Sequence, residues 1–138
     1  MQVLLGHPGG PLFARKDAGT WSVLKGEIEP GENPLAVARR EFEEETGHPA
    51  PDGTEIPLGE IRQKGGKVVE AWALEGDLDP ALARSNSFRM EWPPYSGRFD
   101  EFPEIDRVGW FGLDAAREKV NPGQVPLLER LADAVGGR

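Results

Sequence analysis

The chain of 138 residues contains no cysteine. That removes disulfide bridges, thiolate-bound zinc, iron–sulfur clusters and thiol nucleophiles from consideration together. Basic charge is also scarce: 16 Lys and Arg stand against 24 Asp and Glu, a net charge of −8. Broad binding to DNA or RNA needs clustered cations to displace counterions, so that function is not expected. No apolar run approaches the roughly 18 residues of a membrane span, and Met1–Pro8 has neither the charged start nor the apolar stretch of a secretory leader. The expected location is the cytoplasm, with no membrane partner. The two histidines, His7 and His48, lack any metal-ligand spacing and read as structural or solvated.

What the chain does have is 38% hydrophobic residues, four Trp and six Phe, interrupted by 18 Gly and 13 Pro. Such a composition predicts one folded domain over 1–138 with long loops. Val3–Leu5, Leu12–Arg15 and the apolar run Trp21–Leu24 read as short strands. Asn33-Pro34 is a sharp helix start, Asn as the cap and Pro in the first turn. Leu35, Ala38, Phe42 and Thr46 continue it with the helical period, and Gly47 stops it, which predicts a helix over Pro34–Thr46. Glu55–Lys64 and Lys67–Glu75 flank Gly65-Gly66 as a hairpin, whose second strand is apolar on both faces and is expected inside a sheet. Asp77–Ser87 is polar with a short helical turn. Phe88–Trp92 and Arg107–Phe111 read as strands separated by a Pro93–Pro103 loop. Asp114 is the expected cap of a helix Ala115–Val120, and Val125–Val135 is a final amphipathic helix. The alternation predicts an α/β protein of α+β type, a mixed sheet with helices packed on it.

The chemistry concentrates between Gly26 and Gly47. Glu41, Glu44 and Glu45 fall within an arc of about 100° on the helix, at the rim of the Leu35/Ala38/Phe42 stripe, while Glu43 points to solvent. Three acids in the latter half of a helix repel one another and oppose the macrodipole. The arrangement makes sense around a divalent cation, because Mg²⁺ and Mn²⁺ prefer carboxylate oxygens and keep sites for substrate phosphates.

Gly26, five residues, Glu32, seven residues, then Arg40-Glu41-Phe42-Glu43-Glu44-Glu45-Thr46-Gly47 resembles the signature of the Nudix hydrolases, Gly-x5-Glu-x7-Arg-Glu-U-x-Glu-Glu-x-Gly-U with U a bulky apolar residue. Seven fixed positions and one apolar position match, a coincidence on the order of 10⁻⁷ from average residue frequencies. The departure is His48 at the last apolar position, which bears on packing after the helix and not on the acids. The resemblance implies a mixed sheet between helices carrying a loop–helix–loop motif, and Mg²⁺- or Mn²⁺-dependent hydrolysis of a diphosphate joined to a further group. It implies Glu41, Glu44 and Glu45 as metal ligands, with Glu41 also able to orient the attacking water, and Gly26 as a backbone carbonyl ligand. Arg40 enters the catalytic set by pairing with Glu32 to fix helix and loop.

The family also uses loop carboxylates as general base, which implies Glu104, ahead of Trp110-Phe111, among Asp100, Glu101, Glu104 and Asp106. Substrate phosphates need cations in so acidic a chain. Lys25 is the first candidate, with Arg98, Arg62, Lys64, Lys67 and Arg89 behind it. Tyr95, with Trp92 and Phe99, offers an aromatic surface for a base. The segments 85–88, 91–98 and 102–107 are similar to a bacterial Nudix subgroup of nucleoside triphosphate pyrophosphohydrolases, and Lys25-Gly26 is also common in dinucleoside polyphosphate and diphosphoinositol hydrolases. The expected partner is thus a small nucleoside polyphosphate. A homodimer is left open, and the alternative is a nucleotide-sensing module that keeps the fold without catalysis.

Overall fold

A computed structural model describes residues 1–24, 30–63 and 65–136. The expectations placed on Lys25, Gly26 and Lys64 fall outside these residues. In chain order the elements are β1 (Gln2–Pro8), α1 (Pro34–Thr46), β2 (Ile56–Arg62), β3 (Val68–Ala73), β4 (Ser87–Glu91), β5 (Phe99–Pro103), β6 (Ile105–Gly112), α2 (Leu113–Lys119) and α3 (Val125–Gly136). Single 3-10 turns lie at Pro80–Leu82 and Pro122–Gln124.

Among the described residues the strands form three antiparallel pairs, β1 with β6, β2 with β3 and β4 with β5. A parallel bridge joins Trp21 to Val120, and an antiparallel one joins Gly6 to Ser22. The architecture is α+β, with parallel and antiparallel contacts both present. Alternation along β1 turns Leu5 inward, where it is fully buried with Trp21, Ala116, Val120 and Leu128. Trp21 stands edge-on to both His7 and Phe111, with centroids 5.2 and 4.9 Å apart, the geometry ring quadrupoles favour. A second cluster holds Ile61, Val69 and Leu127. The neighbouring residues Leu127 and Leu128 of α3 therefore reach into different clusters, and the helix ties the β2–β3 hairpin to the β1–β6 pair. Arg130 reinforces the tie by donating from one nitrogen to the carbonyls of Leu58 and Glu60, at 2.9 and 2.8 Å.

Several local expectations are corrected. Leu12–Arg15 is a run of turns and not a strand, since its apolar side chains Leu12 and Phe13 are exposed and find no partner strand among the described residues. Trp21–Leu24 contributes only bridges. Within Pro93–Pro103, Phe99–Pro103 is strand β5, registered against β4 from Ser87↔Pro103 to Glu91↔Phe99. β3 pairs with β2 alone among the described residues, so it is not interior to a wider sheet. Asp114 lies in the first turn of α2 and pairs with Arg117 at 2.7 Å, while the cap position is Gly112 and makes no side-chain bond.

Candidate active site

Helix α1 is built as its sequence dictates. Asn33 Oδ1 accepts from the amides of Leu35 and Ala36 at 3.0 and 3.1 Å, Pro34 occupies the first turn, and Gly47 closes the helix at φ 76°. Gly47 is required twice over. Its left-handed backbone disfavours any side chain, and a Cβ there would lie 2.8 Å from the carbonyl oxygen of Arg84. That close approach lets the 84–86 segment cross the end of α1 and take up its open carbonyls. The Arg84 amide donates to Thr46 O at 2.7 Å and the Asn86 amide to Glu44 O at 2.8 Å.

The helix does not bury the expected stripe most deeply. Its most enclosed residues are Val37, Glu45 and Thr46, at 3%, 7% and 0% exposure. Glu41 lies between Val37 and Glu45 on one i,i+4 row and is itself largely covered, its side chain 17% exposed. Glu41 and Glu45 thus belong to the inner face, while Glu44 stays exposed at its edge. Glu43 is exposed, as expected.

Arg40 and Glu32 are brought together: the guanidinium donates to Glu32 Oε2 at 3.1 Å. The same side chain stands 3.9 Å from Glu41 and from Glu44. Even so, the Glu41 carboxyl sits above the ordinary carboxylate range. Partial burial is the main cause; the like charges of Glu44 and Glu104, and a hydrogen bond that the protonated Glu41 carboxyl donates to Glu44, add to it against the opposing pull of Arg40. Glu104, 63 residues away in sequence, is therefore part of the same electrostatic group as the helix acids.

One residue beyond Glu44 and rotated by about 100°, Glu45 lines a cavity of about 140 Å³ together with Arg84, Ser85, Asp106 and Arg107. Among the described residues no three Asp, Glu or His side chains stand close enough together to hold a metal ion. Of the four ligands expected, Gly26 is outside the described residues, and Glu45 lines a cavity bordered by β6. The donor chemistry nonetheless fits a hard divalent cation. Glu41, Glu44 and Glu104 offer only carboxylate oxygens, and their mutual repulsion is what a cation would relieve.

Tyr95 and Arg98 sit at the β4–β5 tip, where Tyr95 is 98% exposed. Arg89 stacks on the Phe99 ring at 4.6 Å, and Arg62 donates to the carbonyl of Gly66 at 3.3 Å. His48 reaches the Leu82 carbonyl at 2.9 Å.

Sequence reasoning missed the residues that set Glu104. Its amide donates to Asn86 O, and its carbonyl accepts from the Gly9 amide, both at 2.9 Å. The Ile105 amide donates to Ser85 Oγ at 3.0 Å. His7, fully buried, faces Asp106 Oδ1 at 2.9 Å and the Lys16 carbonyl at 2.6 Å with its two ring nitrogens. The Ser85-Asn86-Ser87 cluster was the available signal, since such residues favour side-chain-to-backbone bonding.

Comparison with known proteins gives a consistent result. The family model described as NUDIX domain matches residues 2–131. An octanoyltransferase of Myxococcus xanthus is 38% identical over 102 residues, 74% of this chain and 25% of that protein. An 8-oxo-(d)GTP phosphatase of Mycolicibacterium smegmatis is 31% identical over 121 residues, 83% of this chain and 31% of that protein. The chain thus spans about a quarter to a third of the length of these curated relatives. Among solved structures, an Ap4A hydrolase of C. elegans in a binary complex superposes with a TM-score of 0.66 at 18% identity, covering 99% of this chain and 89% of that one. The E. coli ORF135 protein does so with a TM-score of 0.61 at 23% identity, covering 99% and 84%. At these identities the superpositions speak for the fold.

Proposed function

This chain belongs to the Nudix hydrolase family, and from that premise we propose that it hydrolyses a diphosphate linkage in a nucleoside polyphosphate, with Mg²⁺ or Mn²⁺ as cofactor. The observation that carries the reading is the partly buried Glu41 carboxyl, raised by burial and by the like charges of Glu44 and Glu104, on a helix braced by Arg40 and Glu32. Such a crowd of carboxylates is unfavourable for stability alone, and it is what a polyphosphate-bound cation needs.

In this reading Glu41 and Glu44 hold the cation. Glu45 would complete the set, with the Gly26 carbonyl as the backbone ligand. The bound cation supplies charge neutralisation at the phosphoryl oxygens and a lowered pKa for the attacking water. Glu104 takes the proton from that water, a role its place beside Glu41 supports. The Arg40–Glu32 pair holds the helix in register with the preceding loop, so that the acids meet the phosphates in one geometry. Lys25 contacts a phosphate, and Tyr95 and Arg98 at the hairpin tip meet only the far end of a long substrate. A nucleoside triphosphate or a dinucleoside polyphosphate is the substrate class. Support comes from the names of two similar proteins, an 8-oxo-(d)GTP phosphatase and an Ap4A hydrolase.

The test is metal-dependent release of phosphate or pyrophosphate from a panel of nucleoside triphosphates, dinucleoside polyphosphates, nucleotide sugars and diphosphoinositols. Glu45→Gln is expected to lose at least about 100-fold in kcat, the scale of removing a main charge-stabilising group. Full turnover by that variant on a substrate the parent cleaves would refute the site.

A further inference from the structure

Glu104 occupies the one-residue corner between β5 and β6, a place where a side chain swings readily unless its backbone is held. Here the backbone is held on both sides by segments remote in sequence. A continuous hydrogen-bonded path runs from the end of α1 through this corner to β1. Glu44 O accepts from the Asn86 amide, Asn86 O from the Glu104 amide, and Glu104 O from the Gly9 amide, at 2.8, 2.9 and 2.9 Å. Ser85 Oγ adds a fourth bond by accepting from the Ile105 amide at 3.0 Å. Glu44, whose carbonyl starts the path, lies three residues along α1 from Glu41, whose carboxyl feels the Glu104 charge.

Gly9 meets the corner without clearance. A Cβ built on it would fall inside the envelope of the Pro103 carbonyl oxygen and 2.9 Å from the carbonyl carbon. Both atoms are backbone and cannot rotate aside, so any side chain at position 9 displaces the residue that precedes Glu104. Just before Gly9, the buried His7 is fastened to Asp106 on the far side of the corner, so β1 has no freedom to retreat instead.

We infer that Gly9, Ser85 and Asn86 are positioning residues that form a backbone clamp, setting the Glu104 carboxylate against the acids of α1. The inference rests on Glu104 acting in the proposed hydrolysis. The clamp touches neither substrate nor cation and acts only through Glu104. A misplacement of about 1 Å at a reacting group costs on the order of 100-fold.

The experiment compares Gly9→Ala and Ser85→Ala in the full chain, each in the parent and in a Glu104→Gln background. The substrate is a nucleoside triphosphate that the parent cleaves with Mg²⁺. Gly9→Ala is expected to lower kcat by about 10- to 100-fold with KM changed by less than about threefold, and Ser85→Ala to lower it less. In the Glu104→Gln background both substitutions should cost nothing further, because residues that act through one group do not add. A further tenfold loss there in a folded protein overturns the inference, and so does a Glu104→Gln variant more active than Gly9→Ala. Ser85→Ala deletes a single oxygen and keeps the test open if Gly9→Ala does not fold. Amide exchange of the parent and of Ser85→Ala gives a readout independent of activity. The Ile105 amide should exchange at least about 10-fold faster in the variant, while amides of the Leu5–Trp21 core are unchanged. Unchanged Ile105 exchange refutes the clamp. If the parent cleaves no nucleotide with either metal, the proposed function and the catalytic half of this inference fall together, while exchange still decides whether the clamp exists.

Discussion

Replacing Glu41 with Gln in the metal-free protein should make it more stable at neutral pH. In the folded chain this carboxyl is pushed above its ordinary range by partial burial and then by Glu44, with Glu104 adding to the effect. Gln keeps the shape and removes the charge. A like-charged helix neighbour costs a few tenths of a kcal/mol in water and more when covered, and two such neighbours are relieved here. The gain is on the order of 1 kcal/mol, or about 3–4 °C in Tm for a chain of this size. The pH dependence has a definite sign. An unfolded Glu titrates near about 4.3, and the folded group titrates higher. Between the two values the folded state binds more protons, so wild-type stability falls as pH rises. Below the unfolded value both states are protonated and the penalty is absent. The advantage of Gln is thus full at pH 7 to 8 and closes toward pH 4. With Glu41 as the proposed metal ligand, divalent metal is expected to reverse the order, because a ligand at ten times its Kd stabilises the folded wild type by about 1.4 kcal/mol and the variant would lack one donor. Thermal melts from pH 4 to 8, in chelator and in excess Mg²⁺, read all of this. A Gln variant that melts below the parent at pH 7 in chelator, or one with the same margin at pH 4, would refute the reasoning.

Other consequences are simpler. Asn33→Ala removes the acceptor for the Leu35 and Ala36 amides and should cost about 1 kcal/mol, seen as a fall of about 3–4 °C in Tm. Tyr95→Ala and Arg98→Ala alter an exposed tip and should leave Tm within about 2 °C. In steady-state kinetics these two variants should keep KM for a nucleoside triphosphate within about twofold, while KM for a dinucleoside polyphosphate rises about fivefold or more. Those values correspond to losing one weak contact at the remote end of a longer ligand.

The sequence was most legible where structure is decided locally. Helix α1 has the expected bounds because Asn33, Pro34 and Gly47 act within a few residues of themselves. The β2–β3 hairpin follows from Gly65-Gly66 for the same reason, although its lack of further strand partners among the described residues is a long-range outcome. β5 was hidden because Phe99–Pro103 carries two acids and a proline and has no alternation of its own. Its register comes from β4 across a seven-residue connection. The Arg40–Glu32 pair was legible through the signature alone, since no rule of spacing would place a loop acid against that arginine. The clamp at Glu104 was legible only as the Ser85-Asn86-Ser87 cluster. Apart from the Ser85 hydroxyl it consists of main-chain bonds among four segments, which leave no trace in residue type except at Gly9, where only the absence of a side chain permits the contact.

The burial of α1 shows why periodicity failed where it did. A hydrophobic stripe predicts the inner face on the assumption that charge avoids burial. On α1 the row Val37, Glu41, Glu45 turns inward, and Glu45 is more enclosed than the apolar Leu35 or Phe42. Local rules are expected to break at functional sites, where stability is surrendered for chemistry. The rest of the helix offsets the loss: Asn33 caps one end, and at the other Gly47, Arg84 and Asn86 donate to the carbonyls of Glu43, Thr46 and Glu44. The helix therefore divides into two sets of residues with opposite signs. Neutralising an inward acid should stabilise the metal-free chain and abolish turnover, whereas removing a cap should destabilise it and leave the chemistry of the folded fraction intact. Both signs measured on these 13 residues, with turnover lost only in the first set, would favour the proposed site over an acidic surface.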